Sequence, residues 1–123
     1  MLLTSDPQSP ALARRAITQF LSDHGIDGVT QDAAILVVSE LVTNAMEHGA
    51  EPIELRAALV GDLIRVEVSD DGRRRVTRRM QEEPWSTTGR GLAIVEAVTL
   101  DWGVVRHGAG RKGVWATLGA LRT

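Results

Sequence analysis

The sequence predicts an α+β fold, a two-layer sandwich in which helices cover one face of a mixed, mostly antiparallel sheet. Two observations of spacing predict it: apolar residues recur at helical intervals early in the chain, and later segments alternate between apolar and polar residues. A third observation is the order helix, helix, strand, strand, loop, helix, strand, strand, which is typical of the α+β class. We expect the 123 residues to form a single domain, residues 1–123.

The composition is that of a globular protein, with 43% hydrophobic and 24% charged residues. The net charge of −2 provides no basic field, so we expect no direct nucleic-acid or membrane partner. No apolar run is long enough to cross a bilayer, and the first residues lack the pattern of a signal peptide. The chain has no cysteine, which excludes disulfides and thiolate metal sites. A cytoplasmic protein is the expectation.

Two helices are predicted in the first half of the chain. The first begins at Pro10, presents apolar side chains along one face and ends at Gly25. The second is predicted to start from an N-cap at Thr30 and to run to about His48, with Gly49 as its stop signal. Because the strands follow later, both helices are expected on the same face of the sheet.

A hairpin and a loop are predicted next. The segments "PIELRAALV" and "LIRVEVSDDG" alternate between apolar and polar residues and are separated by Gly61-Asp62, a signal for a tight turn. The following residues 71–88 are polar and rich in arginine, which predicts a loop or lid over a site.

A short helix and two strands complete the prediction. The helix runs from Gly89 to about Val98, and the strands are "DWGVVRH" and "GVWATLGAL". Trp102 and Trp115 lie in these two runs, where we expect both rings to belong to the core.

A row of three polar residues lies on the second predicted helix. In "SELVTNAMEHG", Glu40, Asn44 and His48 recur every fourth residue and therefore share one side of the helix. An unpaired ion in a dry core costs several kcal/mol, so the row faces either solvent or a cleft. Glu40 can accept a proton from a hydroxyl group or water, and the Asn44 oxygen suits Mg²⁺ that also carries phosphate and water. A structural role is the alternative for His48.

Two glycine-containing segments provide the other candidate site residues. In "VEVSDDG", Asp70 ends a strand, where its carboxylate can accept a hydrogen bond from a nucleobase amino group; an ordinary turn is the alternative. In "STTGRGLAIV", Gly89 and Gly91 stand at a helix start, whose free amides and dipole attract anions. The segment is neither a Walker sequence nor a Rossmann fingerprint.

Taken in order, these motifs resemble the GHKL-type (Bergerat) ATP-binding domains of gyrase, histidine kinases and mismatch-repair ATPases. The shared pattern is Glu-x-x-x-Asn on a helix, Asp-x-Gly at a strand end, a lid, and Gly-x-Gly at a helix start. Within that superfamily, "ELVTNAMEHG" is most similar to the small stand-alone anti-sigma-factor serine/threonine kinases of bacteria. The resemblance covers about residues 8–120 and implies the Bergerat fold, with ATP and Mg²⁺ as ligands.

The resemblance implies a role for each matched residue. Glu40 matches the general base and Asn44 the magnesium ligand, while His48 matches a residue near the phosphates and the lid. Asp70 matches the aspartate that recognises the adenine amino group, and Gly72 lets the ring lie close to the backbone. The segment that cradles the phosphates is matched by Thr88, Gly89, Arg90, Gly91 and Leu92.

The function that the resemblance implies is regulation of transcription by an ATP-dependent serine/threonine kinase. Such a protein phosphorylates an anti-anti-sigma antagonist, sequesters a sigma factor and usually works as a homodimer. Phosphoryl transfer of this kind needs mainly positioning and charge neutralisation.

Three positions depart from the family pattern. Arg74 replaces the second glycine of the first box, and Thr87 replaces the opening glycine of the second. Gly113 stands where relatives often carry threonine, which predicts a missing polar contact near the base. The altered boxes favour an alternative function, a nucleotide-binding switch module without kinase activity, whereas Glu40 argues for catalysis. Weaker alternatives are a histidine-kinase catalytic domain and a scaffold that binds no nucleotide.

Overall fold

The computed structural model of the chain describes residues 1–72 and 97–120, with His48 described by its backbone alone. The elements formed within these residues include two long helices, α1 (Ser9–Asp23) and α2 (Gly28–His48), and five strands. The strands are β1 (Leu2–Leu3), β2 (Ile53–Val60), β3 (Leu63–Asp70), β4 (Asp101–Arg106) and β5 (Lys112–Gly119). They form one sheet in the order β1-β2-β3-β5-β4, and each of these pairings is antiparallel. Helix α2 contacts β2, β3 and β5, and α1 contacts α2 and β2. The predicted α+β sandwich is confirmed.

Helix α1 buries one face, made by residues four apart: Ala13, Ile17 and Leu21. Pro10 lies in its first turn, where the missing amide hydrogen costs nothing. The helix ends because Gly25 adopts a φ of +73°, and the amide of Ile26 then donates to the carbonyl of Leu21 at 2.8 Å. The predicted span is confirmed to within two residues.

Helix α2 packs both against α1 and against the sheet. Its buried residues therefore occupy more than one face: Ala34, Val37, Val38, Leu41, Val42 and Ala45. The helix begins at Gly28, two residues before the predicted N-cap Thr30, which instead lies buried within the first turn. Gly28 adopts a φ of +63°, a left-handed conformation that favours glycine, and so marks the turn from which the helix starts.

The hairpin β2–β3 has the predicted turn, with Val60 paired to Leu63 and Gly61 at a φ of +60° between them. Side chains that point from the sheet towards the helices form the core: Ile53, Leu55, Ile64, Val66, Val68, Val114, Ala116 and Leu118. Strand β1 was not predicted, because two residues carry no periodic signal. It pairs with the start of β2.

The opposite side of the sheet, here called the outer face, carries polar side chains and one tryptophan. Trp115 lies on this face, next to Gly103, where a Cβ atom would come within 2.9 Å of the indole nitrogen. The guanidinium of Arg65 stands 5.4 Å from the Trp115 ring centre. The prediction of a core position is thus wrong for Trp115, whereas Trp102 packs against the core as expected.

Within the described parts of the chain, neither helix is both long and apolar enough to span a bilayer. The predicted lid, residues 71–88, and the helix predicted from Gly89 lie mostly in residues 73–96, outside the described residues. Ala97 and Val98, at the end of that predicted helix, are helical.

Candidate functional site

The end of α2 and the end of β3 meet at one place. The amide of Asp71 donates to the carbonyl of Ala50 at 2.9 Å, which ties the chain after β3 to the chain after α2. A Cβ atom on Gly49 would lie 2.5 Å and 2.6 Å from the two carboxylate oxygens of Asp70. Only a residue without a side chain fits there. The glycine that stops α2 therefore also makes room for the Asp70 carboxylate.

The polar row of Glu40, Asn44 and His48 lies on α2, the helix that ends at this junction. Asn44 stands five residues before Gly49 and is 7% exposed, and Glu40, one turn further away, is half-buried. Glu40 and Asn44 are separated by about 6 Å along the helix axis. A face open to solvent, the alternative suggested by spacing alone, is therefore wrong for Asn44. Of the described side chains in the row, Asn44 is buried and Glu40 is partly buried.

Asp70 is a buried acceptor. Its side chain is 3% exposed, and no described residue donates a hydrogen bond to its Oδ1 atom. Burial raises the pKa of the Asp70 carboxyl above its ordinary value of 3.8. The nearby charges of Lys112 and Arg111 and hydrogen bonds from the backbone amides of Ala50 and Gly72 lower it by less. A Cβ atom on Gly72 would lie 2.6 Å from the same Oδ1. Gly49 and Gly72 thus form a cradle for the carboxylate, which fits recognition of a donor group such as an amine.

Two basic residues near Asp70 were not identified from the sequence. Lys112 is 3% exposed and is paired with Asp70 across β3 and β5. Arg111 donates from Nη2 to Ser69 Oγ and to the carbonyl of Pro52, both at 3.2 Å. One feature of the sequence singles out Lys112: it is the only lysine among the 14 basic residues.

Gly113 does not face Asp70. A Cβ atom on Gly113 would lie 2.9 Å from Glu67 Oε2 and 3.1 Å from Val105 Cγ1, both on the outer face. The prediction of a missing polar contact near the base is therefore wrong. Side chains alternate along β5, so Lys112, one residue earlier, occupies the position beside Asp70.

The phosphate-binding part of the predicted site lies outside the described residues: Thr88, Gly89, Arg90, Gly91 and Leu92, together with the departures Arg74 and Thr87. The His48 side chain is also not described. The structure therefore brings together Asp70 and Gly72 from the predicted set, beside Gly49. Asn44 and Glu40 lie on α2, the helix that ends at this junction.

The metal-binding side chains of the described residues can be compared with those that a bound magnesium ion needs. In the described part of the chain, no three or more His, Asp or Glu residues cluster so that they could hold a metal ion. Asn44 offers a single neutral oxygen on α2. Mg²⁺ is commonly held by one or two protein oxygens plus phosphate and water, so this donor set fits a magnesium–nucleotide pair and does not fit a metal held by protein alone.

Solved structures of similar proteins share this architecture. The structure of the RsbU and RsbW domains of Rv1364c from Mycobacterium tuberculosis is 27% identical, with a TM-score of 0.73 over the whole of the present chain. The present chain spans only 32% of that longer protein chain. The catalytic domain of histidine kinase ThkA is 15% identical, with a TM-score of 0.60, and the match covers 89% of this chain and 91% of that domain. Full-length ShkA in complex with AMPPNP is 18% identical, with a TM-score of 0.59, over 99% of this chain and 32% of ShkA.

The ThkA and ShkA structures, at less than 20% identity, show the shared fold alone. The similarity to the RsbU and RsbW structure extends to sequence as well. The family model described as the histidine kinase-like ATPase domain matches residues 3–118, which is nearly the whole chain and includes α2, β3 and β5. On this match, the chain belongs to the histidine kinase-like ATPase domain family.

Proposed function

We propose that this protein binds ATP with Mg²⁺, phosphorylates a serine or threonine of an anti-anti-sigma protein, and sequesters a sigma factor. The observation that best supports the proposal is the meeting of α2 and β3 at a buried carboxylate cradled by Gly49 and Gly72. The resemblance of "ELVTNAMEHG" and the likeness to an RsbU and RsbW structure favour the anti-sigma class.

At the base-binding end, Asp70 accepts a hydrogen bond from the adenine amino group. The Oδ1 atom is suited to this, because it is buried and receives no hydrogen bond from the described residues. The absence of side chains on Gly49 and Gly72 leaves the carboxylate in place and allows a flat ring to approach. A hydrogen bond to a charged acceptor in such a place contributes about 1.5–3 kcal/mol.

At the phosphate end, Asn44 supplies an oxygen to the magnesium ion and Glu40 accepts the proton of the attacking hydroxyl group. Bound magnesium would neutralise phosphate charge, as in other phosphoryl-transfer enzymes. Glu40 and Asn44 stand one turn apart on a helix packed on both sides, which holds the two side chains in a fixed relation. Positioning of this kind is the main requirement for the transfer. We also propose the predicted roles of His48 and of Thr88 to Leu92 at the phosphates.

The first experiment is calorimetric titration of the wild type with ATP and ADP, with and without Mg²⁺. We expect binding of both nucleotides and a requirement for Mg²⁺ for full ATP affinity. The Asp70→Ala variant should lose about tenfold or more in affinity, whereas Asp71→Ala, a matched control at the neighbouring carboxylate, should bind like the wild type. Absence of ATP binding by a folded wild type would contradict the proposal.

The second experiment separates a kinase from the alternative, a nucleotide-binding switch. Wild type and Glu40→Ala are incubated with γ-labelled ATP and the anti-anti-sigma proteins of the source organism, and label on serine or threonine is measured. Transfer by the wild type and its loss in a Glu40→Ala variant that still binds ATP supports the kinase. Binding without transfer by the wild type supports the switch. Co-purification with sigma factors tests the proposed sequestration. Light scattering tests whether the protein is a homodimer.

A further inference from the structure

A small pocket opens on the outer face of the sheet, on the side opposite to Asp70. It has a volume of about 210 Å³ and is lined by Glu54, Arg56, Ser69, His107 and Arg111. Pockets for drug-sized ligands usually measure about 300–1,000 Å³, so this one suits a smaller ligand. Two arginines and a histidine among its five lining residues make it the kind of pocket that attracts an anion.

Arg111 carries a positive charge that no described carboxylate neutralises by direct contact. Its Nη2 donates to Ser69 Oγ and to the carbonyl of Pro52, and both acceptors are uncharged. A guanidinium group has five N–H donors, so three of them remain for a further acceptor. Hydrogen bonds from arginine to an oxyanion are about twice as strong as those between neutral groups. The fold therefore holds this guanidinium in place and leaves most of its donors for a bound anion.

Ser69 adds a buried donor to the same pocket. The residue is 4% exposed, and its Oγ atom accepts the hydrogen bond from Arg111. A serine hydroxyl group has one proton to donate in addition to its two acceptor lone pairs. Since the bond from Arg111 occupies a lone pair, and no described residue accepts the hydroxyl proton, that proton is available to a ligand in the pocket.

Ion pairs hold the other walls of the pocket. Arg56 pairs with Glu54, which offsets the negative charge of that carboxylate. His107 Nε2 lies 2.9 Å from Glu67 Oε2. Glu67 reaches the histidine over Gly113, where a Cβ atom would lie 2.9 Å from the same carboxylate oxygen. The lining side chains are therefore fixed before a ligand arrives, which lowers the entropic cost of binding.

We propose that this pocket binds a small oxyanion of the phosphate class. Arg111 supplies the positive charge and several N–H donors, and the Ser69 hydroxyl group donates from the floor of the pocket. A tetrahedral phosphate presents acceptor oxygens in several directions, which matches donors that come from different strands. The phosphate is either a free ion or a group carried on a serine side chain. The site is separate from the proposed nucleotide site and does not depend on it.

The test is an NMR titration of the isotopically labelled full chain with inorganic phosphate. We expect saturable shift changes at the Ser69 amide and the Arg111 Nε–H, with a Kd of about 1 mM or lower, because two or three charge-assisted hydrogen bonds provide at least that affinity. Arg111→Gln should weaken binding about tenfold or more, and Ser69→Ala about two- to tenfold. Arg15→Gln, the matched control, removes the same charge from an exposed position on α1 and should leave the affinity unchanged.

A parallel titration with O-phosphoserine distinguishes the two sources of the phosphate. Tighter binding than inorganic phosphate supports a pocket for a phosphate carried on serine, and weaker binding at the same residues supports a pocket for the free ion. In both cases the shift changes must occur at Ser69 and Arg111 and must be reduced in the Arg111→Gln variant.

Two results would overturn the inference. Shift changes confined to residues 88–92 would place the ion at the proposed phosphate-binding segment of the nucleotide site. Shift changes that do not saturate, or that Arg15→Gln and Arg111→Gln reduce equally, would show only general attraction to basic residues. If Arg111→Gln does not fold, Ser69→Ala and Arg111→Lys decide, since lysine keeps the charge and should retain part of the affinity. A wild type that binds phosphate here but binds no ATP supports this inference and contradicts the proposed function.

Discussion

Replacing Gly49 by alanine is expected to displace the Asp70 carboxylate. The added Cβ atom would lie 2.5–2.6 Å from both carboxylate oxygens, closer than non-bonded atoms approach. Asp70 has little room to move, because its Oδ1 also lies against Gly72 and the side chain is 3% exposed. The backbone at Gly49 has a φ of −111°, which alanine adopts without strain, so the effect comes from the contact alone.

The magnitude follows from overpacking. Inserting a methyl group into a filled space costs about 1–3 kcal/mol. Replacing glycine by alanine restricts the unfolded chain and returns about 0.4–1 kcal/mol. The net loss of unfolding free energy is therefore about 1–2 kcal/mol, or about 4–8 °C in Tm for a chain of this size. ATP affinity should fall about tenfold or more, because the displaced carboxylate loses its hydrogen bond to the base.

Urea unfolding and calorimetric titration of Gly49→Ala measure the two effects. Gly108→Ala is the matched control: no atom lies within 4 Å of a Cβ atom at that position, and the residue is exposed in the β4–β5 turn. The control should differ from the wild type by about 0.5 kcal/mol or less and bind ATP normally. If Gly49→Ala behaved like Gly108→Ala in both assays, the close packing of α2 against the end of β3 would be refuted.

Three further predictions concern pH, the outer face and the core. Burial raises the pKa of Asp70 in the folded state, so between about pH 4 and this raised pKa the folded state holds a proton that the unfolded chain has lost. The unfolding free energy of the wild type minus that of Asp70→Asn should therefore fall as the pH rises through this interval. A flat difference in urea titrations would argue against the buried carboxyl. Gly113→Thr should destabilise the fold by about 1–3 kcal/mol, because the added side chain meets Glu67 on the outer face, and it should leave ATP affinity unchanged. Tighter ATP binding would show that Gly113 faces the base. Leu41→Ala should cost about 2–5 kcal/mol of unfolding free energy, because Leu41 is 1% exposed. Its control, Leu12→Ala, should cost far less, because Leu12 is 39% exposed. Equal Tm values for the two variants would contradict the packing of α2.

Much of the fold was predictable because its signals are local. The stop at Gly25, the hairpin turn at Gly61 and the polar row on α2 each depend on residues within a few positions of one another. Glu40 and Asn44 were identified in the same way, since the spacing of four residues is a property of the helix itself.

The positions that the sequence analysis assigned wrongly depend on pairing between distant strands. Whether Lys112 or Gly113 faces Asp70 depends on the register of β5 against β3, and a shift of one residue reverses every side chain. Trp115 faces outwards for the same reason, although its neighbours are apolar. The early start of α2 depends on the conformation of Gly28, which a helix pattern does not contain.

The most direct test of a nucleotide site at the junction of α2 and β3 is a crystal structure of the protein with AMPPNP and Mg²⁺. We predict that the adenine amino group lies within hydrogen-bond distance of Asp70 and that the metal contacts the Asn44 side chain. A nucleotide bound elsewhere, with Asp70 and Asn44 both out of contact, would contradict the proposed site and, with it, the kinase function.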